Sequence, residues 1–452
     1  MPEKADVVVC GAGIAGLAAA YHLTLASVPN VVLIEQGEPL SLTSDKSTEC
    51  YRNFWPGPGD GMVRLMNRSL DLLDGLALAS GDAFHLNRRG YLYCTADRDR
   101  LQELRRAAEE SSALGAGPVR VHPGHGEAYC ASGPQAPIDG FDVLGEPSLL
   151  HAHFPCLSEE VFGALHVRRA GWFSAQQLGR LLLDRAQAGG ARWLRGQVQA
   201  VETTGGRVAA VRAATSSGLI RIATPAFVNA AGPFVGRVAR LLELDLPVAC
   251  ELHAKLSISD ALGAMPRQAP LVILSDPQTL DWSIEERAAL REAGHEGLLG
   301  ELPSGVHARP EGPDDSPMLV ALWPYHTPLV EPEFPLRFES LYPEVVLRGL
   351  ARLLPGARAY FDRMPRPFVD GGYYTRTREN RPLIGPLEIE GSFVIGALSG
   401  FGLMASMGAG ELLAAHVTGD RLPEYARWFV PSRHADPAYL ALVQSMEATG
   451  QL

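Results

Sequence analysis

Apolar residues in this chain occur in short runs that alternate with stretches of helical spacing. The run Val7 to Cys10 is followed by the glycine-rich turn Gly11 to Gly16 and then by the helical stretch Leu17 to Leu25. A second run, Val31 to Ile34, ends on Glu35. Short apolar runs bounded by turn residues indicate buried strands, and apolar residues three or four apart indicate helices. The start of the chain therefore predicts a βαβ unit.

The same pattern predicts further helices and strands along the chain. The predicted helices cover residues 62–78, 97–112, 176–188, 235–242, 284–292 (with a capping box from Ser283 to Glu286), 345–354 and 405–417. The predicted strands cover residues 90–94, 191–194, 198–202, 208–215, 220–223, 226–233 with its turn, 271–274, 318–322 and 393–395. Two stretches rich in Gly and Pro, 115–145 and 294–317, predict irregular surface loops.

The turn after the first strand has the pattern Gly-x-Gly-x-x-Gly. Gly11 permits the tight turn, Gly13 lets the backbone approach a pyrophosphate, and Gly16 lets the helix pack closely on the strand. The start of the helix offers free N–H groups and the positive end of its dipole to phosphates. Glu35 would accept a hydrogen bond from an adenosine ribose. We predict a dinucleotide site here, and a glycine-rich turn without a ligand is the alternative.

Composition narrows the class of protein. The chain has 452 residues, of which 46% are hydrophobic and 20% charged, and this is typical of a globular protein with several domain-sized units. A net charge of −11 disfavours nucleic acid or an anionic membrane as a partner. The six cysteines form no Cys-x-x-Cys, which indicates reduced thiols. No apolar run is long enough to span a membrane, and the first strand begins by Val7, so we expect a cytoplasmic protein without a signal peptide.

Three later segments add to the glycine-rich turn. They are Asn229-Ala230-Ala231-Gly232-Pro233, then Asn380 to Pro386, and then Ser399 to Met404 before the last long helix. In this order and spacing the chain resembles the D-amino-acid oxidase superfamily of FAD-dependent oxidoreductases, in its glycine oxidase, sarcosine oxidase and dimethylglycine dehydrogenase branch. The resemblance covers nearly the full length of the chain.

The resemblance implies an α/β fold of two domains. A Rossmann-like, GR2-type FAD-binding domain would comprise residues 1–90, 150–247 and 362–452. A substrate-binding domain, built on a mixed and largely antiparallel β-sheet, would comprise residues 91–149 and 248–361.

The resemblance also implies a set of FAD-binding residues. Carried over position by position, they lie in the glycine-rich turn, after the second strand, in the stretch 44–48, beside adenine, and in two later turns. They are Gly11, Ala12, Gly13, Ile14, Ala15, Gly16, Glu35, Gln36, Ser44, Lys46, Ser47, Thr48, Val198, Ala231, Gly232, Gly400, Gly402, Leu403 and Met404. N–H groups at the start of the last helix can stabilise negative charge on a reduced flavin.

Several charged groups of these relatives are missing at the aligned positions. The cysteine that attaches flavin in some relatives aligns with Gly372, so we predict non-covalent FAD. The arginine that binds the substrate carboxylate in glycine oxidase aligns with Tyr374. The corresponding lysine and histidine of sarcosine oxidase align with Met404 and Phe401, and its oxygen-activating lysine falls near Leu322 or Trp323. The usual carboxylate clamp and the usual lysine for oxygen are therefore absent.

Other residues are candidates to replace these groups. We predict that Tyr374 and Arg52 face the substrate as its catalytic polar groups, although Arg52 could instead pair with phosphate or solvent. Arg376 could supply a bidentate fork for a carboxylate. The predicted substrate pocket is completed by side chains that could also be core residues, namely Trp55, Trp323, Phe401 and Met404.

The predicted function is oxidation of a C–N bond in an amine or amino-acid-like substrate by hydride transfer to flavin N5. Oxygen or an unidentified electron acceptor would then reoxidise the flavin. The alternatives are a flavin tailoring oxidase for a larger aromatic or apolar metabolite, a non-catalytic FAD-containing assembly factor, and an NAD dehydrogenase. No metal is predicted, because His122 and His125 with Cys130, or His151 with His153, form no complete ligand pattern.

Overall fold

The computed structural model describes residues 4–122, 124, 129–133 and 135–444. The strands are β1 (Val7–Cys10), β2 (Val31–Glu35), β3 (Cys50–Arg52), β4 (Tyr91–Thr95), β5 (Val119–His122), β6 (Phe141–Leu144), β7 (Gly163–Val167), β8 (Ala170–Trp172), β9 (Arg192–Arg195), β10 (Gln197–Thr204), β11 (Arg207–Thr215), β12 (Gly218–Ala223), β13 (Phe227–Asn229), β14 (Ala249–Ser259), β15 (Leu271–Leu274), β16 (Gln278–Thr279), β17 (Glu301–Leu302), β18 (His307–Pro310), β19 (Met318–Leu322), β20 (Leu329–Val330), β21 (Phe368–Arg376), β22 (Leu383–Pro386) and β23 (Ser392–Gly396). The helices are α1 (Ile14–Leu25), α2 (Thr43–Lys46), α3 (Gly61–Ser80), α4 (Arg98–Ala113), α5 (Pro147–His153), α6 (Ala175–Ala188), α7 (Val235–Ala239), α8 (Ile284–Glu292), α9 (Tyr342–Leu353), α10 (Gly402–Thr418) and α11 (Pro437–Gln444).

A six-stranded sheet in the order β22-β23-β13-β1-β2-β9 contains the glycine-rich turn. Strand β1 pairs in parallel with β2 and β13, and β13 pairs in parallel with β23. Helix α1 packs closely against this sheet, because a Cβ at Gly16 would lie 1.9 Å from the carbonyl oxygen of Gly11. Helix α10 packs against α1, and here a Cβ at Gly410 would lie 2.8 Å from the backbone of Ala18. The predicted βαβ unit is confirmed.

A ten-stranded mixed sheet forms the other main layer. Its order is β20-β14-β19-β18-β15-β4-β7-β6-β5, and β21 also pairs with β14. Most of its neighbours are antiparallel, whereas β15–β4 and β5–β6 are parallel. Successive side chains on a strand point to opposite faces. One face of this sheet, which includes Leu256, Val272 and Ala308, belongs to an apolar core shared with α9. The opposite face carries the polar side chains that are described below.

The predicted α/β fold class is confirmed, but two loop predictions are wrong. The stretch 115–145 contains β5 and β6, and Phe141 and Leu144 of β6 are fully buried, while residues 123, 125–128 and 134 lie outside the described residues. The stretch 294–317 contains β17 and β18. Isolated Gly and Pro residues therefore punctuate short strands here and do not mark loops. The capping box at Ser283 is present as predicted.

Two long strands, β14 and β21, were not predicted from the pattern of apolar residues. Strand β21, like β7, belongs to the ten-stranded sheet, although the predicted boundaries placed both strands in the FAD-binding domain. The division into domains stays a prediction. In the part of the chain that the structure describes, no helix is both long enough and apolar enough to cross a membrane.

Candidate active site

A large cavity of about 580 Å³ lies at the carboxyl edge of the six-stranded sheet. Its walls come from the chain just after β1, β2, β13 and β23 and from the start of α1. In open α/β sheets, ligands bind where the carboxyl ends of parallel strands meet. The cavity therefore lies at the position where the sequence predicts a dinucleotide.

Glu35 and Ser44 fix the shape of the glycine-rich turn beside this cavity. The Glu35 carboxylate accepts hydrogen bonds from the N–H groups of Ala12 and Gly37, both at 2.9 Å. Ser44 Oγ accepts a hydrogen bond from the Ile14 N–H at 3.0 Å. The carboxylate and the first turn of α1 thus lie side by side at one end of the cavity, where a ribose and a pyrophosphate of FAD would each find a suitable partner.

Most of the predicted FAD-binding residues line this cavity. They are Gly11, Gly13, Ile14, Ala15, Glu35, Gln36, Ser44, Val198, Ala231, Gly232 and Gly402. Ala12 and Gly16 lie behind the cavity wall, since Ala12 is fully buried and Gly16 contacts Gly11. Lys46 is turned towards two carboxylates, Asp45 and Asp370, both at 2.9 Å.

Arg237, which was not predicted as a site residue from the sequence, also lines this cavity. It lies on α7, directly after the turn that contains Gly232, and its guanidinium lies 4.9 Å from the ring of Phe234. A cation at this place could neutralise part of the charge of a pyrophosphate. The volume of the cavity, the Glu35 carboxylate, the N–H groups at the start of α1 and this cation together fit FAD.

A second, smaller cavity of about 40 Å³ adjoins the first, and we call it the inner cavity. Neighbouring residues from the same three segments, 43–48, 373–375 and 398–404, line both cavities. The inner cavity is lined by Ser47, Thr48, Cys50, Arg52, Tyr91, His253, Leu271, His307, Leu322, Pro324, Tyr374, Gly400, Leu403 and Met404. It therefore lies between the turn before α10 and the polar face of the ten-stranded sheet.

Arg52 carries the only fixed charge among the described residues that line the inner cavity. Its side chain is buried, and its guanidinium lies 4.7 Å from the ring of Trp55. Burial lowers the pKa of His307 to about 4 and also lowers the pKa of His253, so both imidazoles are neutral at pH 7. Burial raises the pKa of Tyr374 well above its usual range. The inner cavity is therefore a neutral, largely apolar space with one cation.

Tyr374 belongs to a chain of polar contacts that leads out of the inner cavity. Its ring stacks on His253 with 3.9 Å between the ring centroids. His253 Nε2 lies 3.2 Å from the Glu251 carboxylate, which also binds the Arg376 guanidinium at 2.6 and 2.8 Å. Arg376 does not line the inner cavity, and its guanidinium is already bound by the Glu251 carboxylate. The geometry therefore favours Arg52 over Arg376 as the partner of a substrate anion.

The remaining predicted substrate residues divide between wall and core. Met404 lines the inner cavity, whereas Trp55 lies behind Arg52, with Phe401 edge-on to its ring at 5.1 Å. Trp323 follows Leu322 on the chain and faces the opposite side of the sheet, where its Nε1–H donates to the Pro303 carbonyl oxygen at 2.9 Å. The prediction that Trp323 lines the pocket thus fails because neighbouring positions on a strand alternate between faces.

Several residues of the inner cavity were missed in the sequence, chiefly His253, His307, Tyr91 and Cys50. Both histidines lie on strands that the pattern of apolar residues did not predict. Only polar residues at every second position could have indicated these strands. Among the described residues no group of three or more His, Cys, Asp or Glu could hold a metal ion. His125, which was considered as a metal ligand together with His122 and Cys130, lies outside the described residues.

A cavity suited to a dinucleotide, with a small second cavity beside it and a mixed sheet next to both, is the arrangement expected of a flavin-dependent oxidoreductase. The chain belongs to the DAO family, the FAD dependent oxidoreductases, whose family model matches residues 6–416. It is an FAD-dependent oxidoreductase, and the resemblance seen in the sequence is confirmed.

The chain is also similar to three known proteins in sequence or in fold. Mitochondrial sarcosine dehydrogenase from Mus musculus is 26% identical over 267 residues, which cover 56% of this chain and 25% of that protein. The chain thus spans about a quarter of the length of this curated relative. L-proline dehydrogenase from P. horikoshii matches at a TM-score of 0.74 with 19% identity, covering 96% of this chain and 99% of that one. Glycine oxidase from Geobacillus kaustophilus matches at 0.71 with 18% identity, with the same coverage of 96% and 99%.

Proposed function

We propose that this protein oxidises the C–N bond of a small amino acid or N-alkylated amino acid, with the substrate carboxylate bound by Arg52. The observation that carries the proposal is the single fixed cation, Arg52, in an otherwise neutral inner cavity. A guanidinium that lines an apolar cavity attracts an anionic group of a ligand, and a planar carboxylate matches its donor geometry. The proteins to which the chain is similar bear names of enzymes for sarcosine, L-proline and glycine, all of which carry a carboxylate.

The size of the inner cavity supports a small substrate. A volume of about 40 Å³ is far below the roughly 300 to 1,000 Å³ of a pocket that encloses a drug-sized ligand. A larger aromatic metabolite, as in the tailoring-oxidase alternative, would require side chains to move. In the assembly-factor alternative no substrate would reduce the bound flavin, whereas in the catalytic proposal at least one substrate does.

The residues around the inner cavity have distinct roles in this proposal. When bound, the flavin would take up the hydride that leaves the substrate α carbon. Arg52 would hold the carboxylate and so fix the direction of the C–H bond, which is the usual contribution of a positioning group. Leu271, Leu322 and Met404 would exclude water, so that the imine forms before it is hydrolysed.

We also propose that FAD is bound without a covalent link. Gly372 offers no thiol, and a Cβ at this position would already lie 2.9 Å from the Thr43 backbone. Cys50 lines the inner cavity, but burial raises the pKa of its thiol, which donates to the Thr48 carbonyl oxygen at 3.0 Å. A protonated thiol is a weak nucleophile.

The electron acceptor is proposed to be a partner other than oxygen, or oxygen at a slow rate. Lys255 lies on β14 two residues after His253, yet its Nζ donates to the carbonyl oxygens of Asp45 and Ser47 at 3.3 and 3.0 Å. Lys255 does not line the inner cavity, so it does not replace the usual oxygen-activating lysine. We also propose that the protein is located in the cytoplasm.

An anaerobic flavin-bleaching screen with matched substrate pairs tests the proposed function. The pairs are L-proline with pyrrolidine, sarcosine with dimethylamine, and glycine with methylamine, so each differs in the carboxylate. We expect bleaching only by members that carry the carboxylate. Equal bleaching by the decarboxylated amines would refute the role of Arg52, and bleaching by D- or L-amino acids with large side chains would refute the size argument.

A further inference from the structure

His307 is placed in the inner cavity by the alternation of β18. Val306 and Ala308 lie in the apolar core on one side of the sheet, and His307 therefore faces the other side with Arg309. In register, His307 is opposite Leu322 of β19, which also lines the inner cavity. The side chain is nearly fully buried, at 3% exposed. A buried imidazole at this place needs a hydrogen-bonding explanation.

One hydrogen bond fixes which ring nitrogen of His307 carries the proton. Nδ1 lies 2.8 Å from the carbonyl oxygen of Gly305, and a carbonyl oxygen can only accept. Nδ1 is therefore the donor. Because burial lowers the pKa of His307 to about 4, and the charge of Arg52 acts in the same direction, the ring is neutral at pH 7. A neutral ring that donates from Nδ1 has an acceptor lone pair on Nε2.

The acceptor at Nε2 complements the donor at Arg52. No hydrogen bond engages Nε2 within the described part of the chain. Arg52 is a cationic donor that suits a carboxylate, and a neutral acceptor suits an N–H group. An α-amino acid offers these two groups on neighbouring atoms.

We propose that Nε2 of His307 accepts a hydrogen bond from the N–H of the substrate while Arg52 binds its carboxylate. His307 would then be a substrate-binding residue that selects molecules with an N–H next to a carboxylate-bearing carbon. This inference rests on the proposed function, since it assumes that the inner cavity is the substrate site.

Two isosteric ligands separate the N–H from the carboxylate. Pyrrole-2-carboxylate has a ring N–H beside the carboxylate, and 2-furoate has a ring oxygen in the same place. Both are titrated into the FAD-loaded protein, and their dissociation constants are measured from the perturbation of the flavin absorbance spectrum at pH 7.5. The readout is binding, so no knowledge of the true substrate is needed.

Three variants of His307 give matched controls. In His307→Asn the side-chain amide can still donate to Gly305 but no longer presents an acceptor to the inner cavity. In His307→Gln the longer amide returns an acceptor near the position of Nε2. His307→Phe keeps a ring without an acceptor and serves if the asparagine variant fails to fold.

We expect wild type to bind pyrrole-2-carboxylate more tightly than 2-furoate. His307→Asn should weaken the binding of pyrrole-2-carboxylate about five- to tenfold, which is typical of one lost hydrogen bond. Binding of 2-furoate should change less than twofold, and His307→Gln should restore most of the preference. Equal weakening of both ligands, or no effect on either, overturns the inference while leaving the proposed function intact. If neither ligand binds to wild type, the inference and the carboxylate site of the proposed function are both wrong.

Discussion

Replacement of Arg52 by methionine removes the cation of the inner cavity and keeps much of the volume of its side chain. A carboxylate about 4 Å from a buried guanidinium gains about 4 kcal/mol at an effective dielectric constant of about 20. In wild type, the cost of removing the two charges from water offsets part of this gain, and the methionine variant does not have this cost. A net loss of about 2 to 3 kcal/mol corresponds to about 30- to 150-fold weaker binding.

The assay is a titration of 2-furoate into the FAD-loaded protein, followed by flavin absorbance, with thermal unfolding measured in parallel. Arg376→Met is the matched comparison, because Arg376 was the second candidate for the carboxylate and is instead bound by Glu251. Removing one partner of this largely buried pair should lower the free energy of unfolding by about 3 kcal/mol.

The affinity of Arg376→Met for 2-furoate should change less than threefold. The opposite pattern, with affinity lost in Arg376→Met and kept in Arg52→Met, would refute this assignment of the carboxylate site.

Three further predictions concern the cofactor and pH. Lys255→Met should weaken the binding of FAD to the apoprotein about tenfold, because two carbonyl oxygens of the stretch 44–48 lose a charged donor. The control variant Lys4→Met, at an exposed position, should bind FAD as wild type does. Equal affinities of the two variants for FAD would contradict this prediction. Burial lowers the pKa of His22 and His307 to about 4, below the unfolded value of about 6.5. Between about pH 6.5 and pH 4 the unfolded chain therefore binds more protons than the folded protein. The free energy of unfolding is at its full value above about pH 6.5 and decreases as the pH falls towards 4. For His307 this decrease is about 3 kcal/mol at most. Denaturant titrations from pH 7.5 to 4.5 should show this loss, and a smaller one in His307→Asn. Acid precipitation should release all of the flavin into the supernatant, and a yellow pellet would show a covalent link.

The part of the large cavity beside the glycine-rich turn and Glu35 could be predicted from the sequence, because these residues are close together along the chain. Gly11, Gly16 and Glu35 lie within one βαβ unit, and neighbouring elements of such a unit pair with each other. Their spacing alone therefore fixed their relative positions. The hydrogen bond between Glu35 and the Ala12 N–H is the structural counterpart of that spacing.

The inner cavity could be predicted only in part, because its walls come from segments far apart in the chain. His253, His307 and Tyr374 meet through the ten-stranded sheet, whose strand order does not follow the sequence, and Arg52 comes from the separate pair of strands β3 and β8. Polar residues at alternate positions also obscured β14 as a strand, since Glu251, His253 and Lys255 interrupt its apolar pattern. Such polar strand faces are characteristic of sites, where function overrides the local pattern.

The prediction of Trp323 as a pocket residue failed for a related reason. Position near a site in the sequence does not decide which face of a strand a side chain takes, and Leu322 and Trp323 point to opposite faces of the sheet. The register of β18 with β19, which places Leu322 opposite His307, is information that only the paired structure contains.

A stoichiometric anaerobic titration tests the proposed function most directly. The amino acid that reduces the flavin fastest is added in small steps, and the carbonyl and amine products are measured after acid quenching. The proposal predicts that one equivalent fully bleaches one flavin and yields one carbonyl product and one ammonia or amine, whereas the decarboxylated amine causes no bleaching. A protein that holds FAD yet is bleached by none of the amino acids would contradict the proposed oxidation of a C–N bond.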